Sequence, residues 1–147
     1  MSWAEVKKIN SDMSLPLDKL IKGNKRLAAS DAVLAVIVSE EKSISQSSKI
    51  LGYFTPKVSG NIRLLANLKV ANSDYRVYVT LSKPDGTKVG EVFTSNSTYT
   101  EVFNDINIEA NLQYKITLRC PNYTGRTDMV KILGQVIDGG TFEYSVV

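Results

Sequence analysis

Apolar and polar residues alternate with a period of two through most of the chain after residue 49. Three apolar series show this most clearly: Ile62, Leu64, Ala66, Leu68 and Val70; Tyr75, Val77, Val79 and Leu81; and Leu112, Tyr114, Ile116, Leu118 and Cys120. A period of two with one polar face is typical of antiparallel strands that cover a core on one side. We count about eight strands from Lys49 onward, spaced about ten residues apart, which predicts an antiparallel β-sandwich of jelly-roll type.

Turn residues separate these strands. The segment Lys83–Thr87, with the sequence KPDGT, predicts a tight hairpin because Pro84 fixes φ and Gly86 accepts a left-handed conformation. Polar turn clusters at Asn72–Asp74 and Ser95–Ser97 punctuate the other strands.

The beginning of the chain carries a helical pattern instead. Ser2 and Glu5 fit a capping box, and Pro16 suits the first position of a second short helix. The apolar positions that recur at helical spacing are Trp3, Val6, Ile9 and Met13, followed by Leu17, Leu20 and Ile21. We therefore predict a mainly β protein whose sandwich is preceded by a short N-terminal α-helical attachment segment. The alternative is that these helices dock on the chain's own sandwich.

The region between the two patterns is mixed. The apolar run Ala32–Val38 fits either a buried strand or a helix, and its β-branched residues favour a strand. The polar, serine-rich run Glu40–Ser48 is typical of a connection or an exposed edge. We divide the chain into an N-terminal helical attachment or oligomerisation segment with its connector, residues 1–43, and a β-sandwich domain, residues 44–147.

Composition narrows the classes of function. The chain has 147 residues, a net charge of +3 and no histidine. The lack of histidine argues against Ser-His-Asp or Cys-His catalysis and against His-ligated zinc. Basic and acidic residues are interspersed, so we expect no nucleic-acid partner. We predict a protein that is not an enzyme and needs no cofactor.

The chain shows no pattern for export or membrane insertion. Residues Met1–Lys8 lack the apolar region of a signal peptide, and the longest apolar run has seven residues, Ala32–Val38. A run of that length is too short to span a bilayer. We therefore expect a soluble protein made in the cytoplasm, without membrane insertion.

Most residue types that carry chemistry have a structural explanation. Cys120 falls on the inward face of its predicted strand, where cysteine acts as a small apolar residue. Asp85, Asp105, Asp128 and Asp138 all fall in predicted turns, which suit aspartate without any catalytic role. We expect neither a catalytic residue nor a metal site, although a calcium site built from loop oxygens stays an open alternative.

One segment has the residue types of a sugar-binding site. The segment Pro121–Thr127 is predicted to be a loop between two long strands, and it contains Asn122, Tyr123 and Arg126. Sugar sites combine an aromatic face with a few fixed polar groups, and loops on a rigid sandwich commonly display them. We predict a glycan-binding loop here, with a solvated turn as the alternative.

The N-terminal residues carry a resemblance to a known family. The run Trp3–Met13, WAEVKKINSDM, and the run Pro16–Ile21, PLDKLI, resemble the opening of small structural proteins from tailed phages and phage-derived tail particles of Gram-positive bacteria. The resemblance implies a virion or tail-particle component, made in the host cytoplasm, in which this segment attaches or oligomerises the chain. It also implies other particle proteins as partners and a homotrimer, as in short tail fibres or receptor-binding tips.

The second part is similar in style to two kinds of β-sandwich. Its runs Phe54–Arg63 and Ile106–Tyr114, with the hairpin at Pro84–Gly86, resemble modules at fibre tips and carbohydrate-binding modules. On this basis the sandwich faces the host surface and contacts a cell-surface glycan. Two alternatives remain open: a capsid decoration or head-fibre protein, and a monomeric carbohydrate-binding module.

Overall fold

A computed structural model describes residues 26–137 and 142–147. The predicted attachment residues lie outside the described residues: Trp3, Val6, Ile9, Met13, Leu17, Leu20 and Ile21. Asp138 also lies outside them. Within the described ranges every regular element is a strand, and no helix is long and apolar enough to cross a membrane.

The described residues form eight strands that belong to one hydrogen-bonded network. In chain order they are β1 (Arg26–Val38), β2 (Lys42–Pro56), β3 (Ser59–Val70), β4 (Val77–Ser82), β5 (Lys88–Thr94), β6 (Thr100–Ile108), β7 (Tyr114–Ile137) and β8 (Phe142–Val146). Both β1 and β2 begin before Lys49, the residue from which we counted about eight strands.

The network folds into two layers because β7 belongs to both. Residues 114–120 of β7 pair with β4 on one side and with β2 on the other, which gives the layer β5-β4-β7-β2-β8. Residues 125–133 pair with β3, and the last part of the strand pairs with β1, which gives the layer β6-β3-β7-β1. β5 contacts β6 and β3 across the layers without pairing with either, so the two layers face each other as a sandwich.

The core lies between the layers and follows the predicted alternation. The residues from Ile62 to Val70 at even positions are all fully buried, as are Val77, Val79, Leu81, Ile116, Leu118 and Cys120. Phe54 stacks on Tyr114 with ring centroids 5.3 Å apart, and this pair fills the end of the core nearest β8. The prediction of a mainly β, antiparallel sandwich is confirmed for the described residues.

The apolar run Ala32–Val38 is a strand, as its β-branched residues predicted. It forms the second half of β1, and it buries Ala35, Ile37 and Val38 against the core. Because β1 pairs with β7, the sheet begins at Arg26, before the boundary that we placed between residues 43 and 44. β1 also pairs with β3 in parallel at Arg26 and Leu27, so the sheet is not antiparallel throughout.

The predicted hairpin joins β4 to β5. The Gly86 N–H donates to the Lys83 carbonyl at 2.9 Å, and the Lys83 N–H donates to the Thr87 carbonyl at 2.8 Å. Gly86 has a φ of +92°, a left-handed conformation in which a residue with a side chain would be strained. The Asp85 carboxylate accepts the Thr87 N–H at 2.9 Å, which is the local role expected of aspartate in a turn.

The prediction of a loop at Pro121–Thr127 is wrong, because the segment lies within β7. β2 pairs with Cys120 through Ser47 and with Thr124 through Ser45, so only residues 121–123 stay unpaired, opposite Gln46. Proline lacks an N–H and interrupts a ladder, which explains a bulge at Pro121. Thr124 to Thr127 return to strand pairing because β2 and β3 offer partners on both sides.

The chain packs tightly where β7 passes from one layer to the other. A Cβ added at Gly125 would lie 2.5 Å from Val77 Cγ2 and 3.0 Å from Cys120 Cβ. No side chain fits at this position without a displacement of the core, so a glycine is required here.

We predict that Gly125→Ala destabilises the protein by about 2 kcal/mol, because the added methyl overpacks this part of the core. In chemical denaturation, the Gly125→Ala/Val77→Ala double variant should lose about 1 kcal/mol less than the sum of the two single losses, since it removes Val77 Cγ2, the atom nearest to the added Cβ. Strict additivity of the two losses would show that the clash is not the cause.

Candidate functional site

Four segments meet at one end of the sandwich, which we call the loop end: residues 39–47, 71–76, 95–99 and 120–126. Backbone hydrogen bonds join them, since the Val70 N–H donates to the Asn96 carbonyl and the Ala71 N–H donates to the Thr124 carbonyl, both at 2.9 Å. The side chains at this end are therefore presented by a fixed frame of strand ends. All three residues predicted for glycan binding lie here.

Tyr123 stacks on Tyr75 at the loop end. Their ring centroids are 5.1 Å apart and their planes differ by 6°. Tyr123 is 38% exposed, whereas Tyr75 packs partly against the core. The pair therefore holds the Tyr123 ring in one orientation and leaves part of it accessible to solvent.

The thiol of Cys120 supports the bulge that carries Tyr123. The thiol donates to the Arg76 carbonyl at 3.4 Å, and the backbone N–H groups of Asn122 and Tyr123 lower the pKa of the thiol. Burial raises the pKa of the Cys120 thiol despite these donors, so it is a poor nucleophile. This placement agrees with the predicted structural role of an inward-facing cysteine.

Arg126 belongs to a polar cluster with Glu41, Tyr99 and Lys69. Its Nη1 lies 3.4 Å from Glu41 Oε1, and Tyr99 OH donates to Glu41 Oε2 at 2.6 Å. Lys69 Nζ lies 4.5 Å from the centroid of the Tyr99 ring. The hydrogen bond from Tyr99 lowers the pKa of Glu41, and burial together with Glu41 raises the pKa of the Tyr99 hydroxyl.

A small cavity of about 180 Å³ lies at the loop end beside Thr124. Its lining combines two cations, two hydroxyls and short apolar groups: Lys69, Arg126, Ser97, Thr124, Val70 and Ala71. The structure thus places Arg126 in the wall of a cavity, whereas Asn122 and Tyr123 lie on the bulge next to it.

A second groove, of about 410 Å³, lies between the edge strands β5 and β6. Phe93 and Phe103 line it and are 44% and 58% exposed. The Asn104 amide donates to the Glu91 carbonyl at 3.3 Å and bridges the two edges. The alternation of polar and apolar residues gave no sign of this groove, because it arises where two layers meet.

The carboxylates expected in turns have mixed locations. Asp85 lies in the hairpin turn, but Asp105 lies in β6, where it pairs with Arg63 of β3. Asp128 lies in β7, at the register shift opposite Asn67 and Leu68 of β3. Asp105 pairs with Arg63 at 2.8 Å, and this ion pair lowers the pKa of the Asp105 carboxyl. Asp128 accepts a hydrogen bond from the Asn67 amide at 2.9 Å.

Side chains that could hold a metal ion do not converge in the part of the chain that the structure describes. Among residues 26–137 and 142–147, no three Cys, Asp or Glu side chains come close enough together to ligate one ion.

Comparisons with known proteins rest on structure alone, since no family model and no curated protein matches the chain. It is similar to a family 36 carbohydrate-binding domain of a multidomain xylanase from the hindgut metagenome of Trinervitermes trinervoides. The identity is 17%, the match covers 63% of this chain and 77% of the other, and the TM-score is 0.50. A family 35 carbohydrate-binding module from Cellvibrio japonicus shares 12% identity over 80% of this chain and 94% of its own, with a TM-score of 0.49.

A further similar structure is a family 6 carbohydrate-binding module from a Cellvibrio mixtus lichenase, solved with cellotriose. It shares 12% identity over 69% of this chain and 97% of its own length, with a TM-score of 0.46. At these identities the comparisons define the fold only: the chain is an antiparallel β-sandwich similar to the jelly-roll sandwiches of carbohydrate-binding modules.

The Glu41 cluster makes a prediction for pH dependence. A carboxyl whose pKa is lowered on folding stabilises the protein above its unfolded pKa, and the contribution is lost as the pH falls through the folded value. We expect Glu41→Gln to lower Tm at pH 7, and this difference to shrink as the pH falls from the usual pKa of glutamate, about 4.3, through the lowered pKa of Glu41. A difference that persists at pH 3 in thermal scans would show that the carboxylate charge is not responsible.

Proposed function

We propose that the sandwich is a non-catalytic glycan-binding module and that the glycan binds at the loop end. The observation that carries the proposal is the stacked Tyr75–Tyr123 pair beside a cavity with polar walls. The resemblance of the fold to carbohydrate-binding modules supports the choice of ligand class, because three such modules share the sandwich architecture.

The aromatic part of the site would take the apolar face of a sugar ring. Tyr75 packs against one face of Tyr123 with almost parallel planes, which fixes the ring before any ligand arrives. A preorganised ring loses little conformational entropy when a ligand stacks on it. The exposed part of Tyr123 is therefore the proposed stacking platform.

The polar part of the site would bind the sugar hydroxyls. The Asn122 amide is exposed on the bulge, and the hydroxyls of Ser97 and Thr124 line the cavity. Amide and hydroxyl groups both donate and accept hydrogen bonds, as sugar hydroxyls require. Lys69 and Arg126 add donors at the cavity wall, and Glu41 holds Arg126 in place.

The absence of a catalytic role is part of the same proposal. A glycosidase needs two carboxyl groups that face each other across a bound sugar. Glu41 at the loop end is held by Tyr99 and Arg126 with a lowered pKa, which suits an anchoring anion and not a proton donor. The chain also has no histidine that could replace it.

We predict that Tyr123→Ala weakens glycan binding about fivefold, because stacking on one aromatic ring contributes about 1 kcal/mol. The protein should first be applied to an array of plant, animal and bacterial glycans, and the best ligand should then be titrated by calorimetry. Tyr144→Ala is the matched control, since Tyr144 is exposed on β8 at the opposite end of the sandwich.

The glycan does not bind at the loop end if the two variants lose the same affinity, or if Tyr123→Ala binds the glycan as tightly as the unchanged protein. No ligand on the array would count against glycan binding itself.

We further propose that the chain acts as a short tail fibre or receptor-binding tip of a phage or phage-like particle. The resemblance of residues Trp3–Met13 and Pro16–Ile21 to small tail proteins supports this role, with other particle proteins as partners and a homotrimer as the assembly state. In this proposal the N-terminal segment attaches to the particle and the sandwich faces the host surface. A capsid decoration protein is the alternative with the same architecture.

The attachment proposal predicts that Trp3→Ala/Ile9→Ala abolishes incorporation into particles while the variant still folds. Particles can be purified from cells that express the variant, and the chain can be quantified by immunoblotting. The Tyr144→Ala variant should be incorporated normally, because it leaves the N-terminal segment intact. Normal incorporation of the Trp3→Ala/Ile9→Ala variant would contradict the assigned attachment surface.

A further inference from the structure

The outer face of the layer that contains β4, β5 and the first part of β7 is strongly basic. The charged residues of β5, of residues 76–82 and of residues 115–119 in β7 are four cations and one carboxylate: Arg76, Lys88, Lys115, Arg119 and Glu91. Lys115 and Arg119 alternate with the buried Tyr114, Ile116, Leu118 and Cys120, so they point away from the core. Together with Tyr78 and Phe93, these charged residues define what we call the basic face.

Strand register sets the aromatic and basic side chains in one row. Tyr78 pairs with Phe93 of β5 on one side and with Arg119 of β7 on the other. Thr80 lies in the next row, where it pairs with Glu91 and with Thr117. Neighbouring strands lie about 4.8 Å apart, so each row spans about 10 Å of a regular surface.

Both arginines of the face are stacked on aromatic rings. Arg119 Cζ lies 4.3 Å from the centroid of Tyr78, and Arg76 Cζ lies 4.6 Å from the centroid of Phe93. The two rings contact each other with centroids 5.8 Å apart. Stacking fixes the plane of a guanidinium, so that N–H groups at its edge can bind a planar anion. In Arg119 one of these groups, Nη2, already faces Glu91 at 3.5 Å.

Glu91 holds the centre of the face together without neutralising it. It accepts from Thr80 Oγ1 at 3.1 Å and pairs with Lys88 Nζ at 3.0 Å and with Arg119 Nη2 at 3.5 Å. One carboxylate is thus shared between two cations. The opposite layer differs, because there Arg63 lies between two carboxylates, Asp31 at 3.2 Å and Asp105 at 2.8 Å.

We propose that the basic face binds an acidic polysaccharide that bears carboxylate groups. The stacked guanidiniums of Arg76 and Arg119 present planar forks that match a carboxylate in two parallel hydrogen bonds. The hydroxyls of Thr80, Thr117 and Tyr78 lie between them and pair with sugar hydroxyls. This surface adjoins the loop end at Arg76, but it lies on the outer face of the sheet and does not include the Tyr75–Tyr123 pair or the cavity. It therefore adds a second class of ligand to the proposed glycan binding.

Glu91 makes the face a poor match for nucleic acid. A nucleic-acid strand presents closely spaced phosphates, and a carboxylate in the middle of the face would repel them. A polyuronate carries one carboxylate per sugar, and neutral hydroxyls lie between these carboxylates. The Glu91 carboxylate can therefore accept a hydrogen bond from a sugar hydroxyl.

The test uses polygalacturonate as the probe in affinity gel electrophoresis and calorimetry. We expect the full chain to be retarded by polygalacturonate and the Arg76→Gln/Arg119→Gln variant to bind at least tenfold more weakly. Arg76→Lys/Arg119→Lys should also bind more weakly, because lysine keeps the charge but loses the planar fork. Lys42→Gln/Lys131→Gln removes two positive charges elsewhere and should bind as the unchanged protein does.

Several results would overturn the proposal. The proposal fails if the full chain does not bind polygalacturonate, or if the two glutamine double variants lose the same affinity for it. It also fails if the lysine double variant binds polygalacturonate as tightly as the unchanged protein does. Equal or tighter binding of dextran sulfate or single-stranded DNA through the same arginines would show a general response to charge. Thermal unfolding of each variant separates a loss of binding from a loss of fold.

The two proposals fail independently. If Tyr123→Ala weakens binding of a neutral glycan but leaves polygalacturonate binding unchanged, both surfaces act as proposed. If no neutral glycan binds and the arginine variants still lose polygalacturonate, the basic face stands while the loop-end function falls.

Discussion

The structure depends on one strand that serves two layers. β7 has 24 residues and pairs with β1, β2, β3 and β4 along its length. A straight strand of that length would extend about 80 Å, whereas a domain of this size is only about 35 Å across. β7 therefore has to turn from one layer into the other, and the other strands are arranged around that turn.

The turn in β7 explains why the loop end has its composition. Pro121 interrupts the ladder with β2, and the buried Cys120 thiol, which donates to the Arg76 carbonyl, ties the start of the bulge to the β3–β4 connection. Gly125 lets Val77 approach the strand directly after the bulge. As a result Tyr123 projects outward at a fixed position, and Thr124 returns to pairing at the edge of the cavity.

Much of the fold could be predicted from short-range patterns. The alternation in Ile62–Val70 and the turn residues of Lys83–Thr87 both depend on neighbours in sequence, and both were confirmed. The position of the first strand and the bulge in β7 depend on strands distant in sequence. Proline and a polar run predicted a loop at residues 121–127, but flanking strands on both sides hold all but three of these residues in pairing.

The candidate site depends in the same way on contacts between strands distant in sequence, so only part of it could be predicted. Asn122, Tyr123 and Arg126 were predicted together because they are close in sequence, yet the partners that give them a geometry are distant in sequence. Glu41 lies 58 residues from Tyr99 and 85 from Arg126, and Tyr75 meets Tyr123 only because the β3–β4 connection crosses the bulge. The basic face also depends on register between strands, which periodicity alone does not fix.

The most direct test of the central claim, glycan recognition at the loop end, is to map the bound ligand by nuclear magnetic resonance. A neutral oligosaccharide would be titrated into the isotopically labelled full chain, with backbone amide shifts recorded for each residue. The account predicts that the largest shifts fall in residues 71–76, 95–99 and 120–126. Shifts confined to the opposite end, around residues 56–59 and 109–113, or saturable binding with no shift at the loop end, would contradict it.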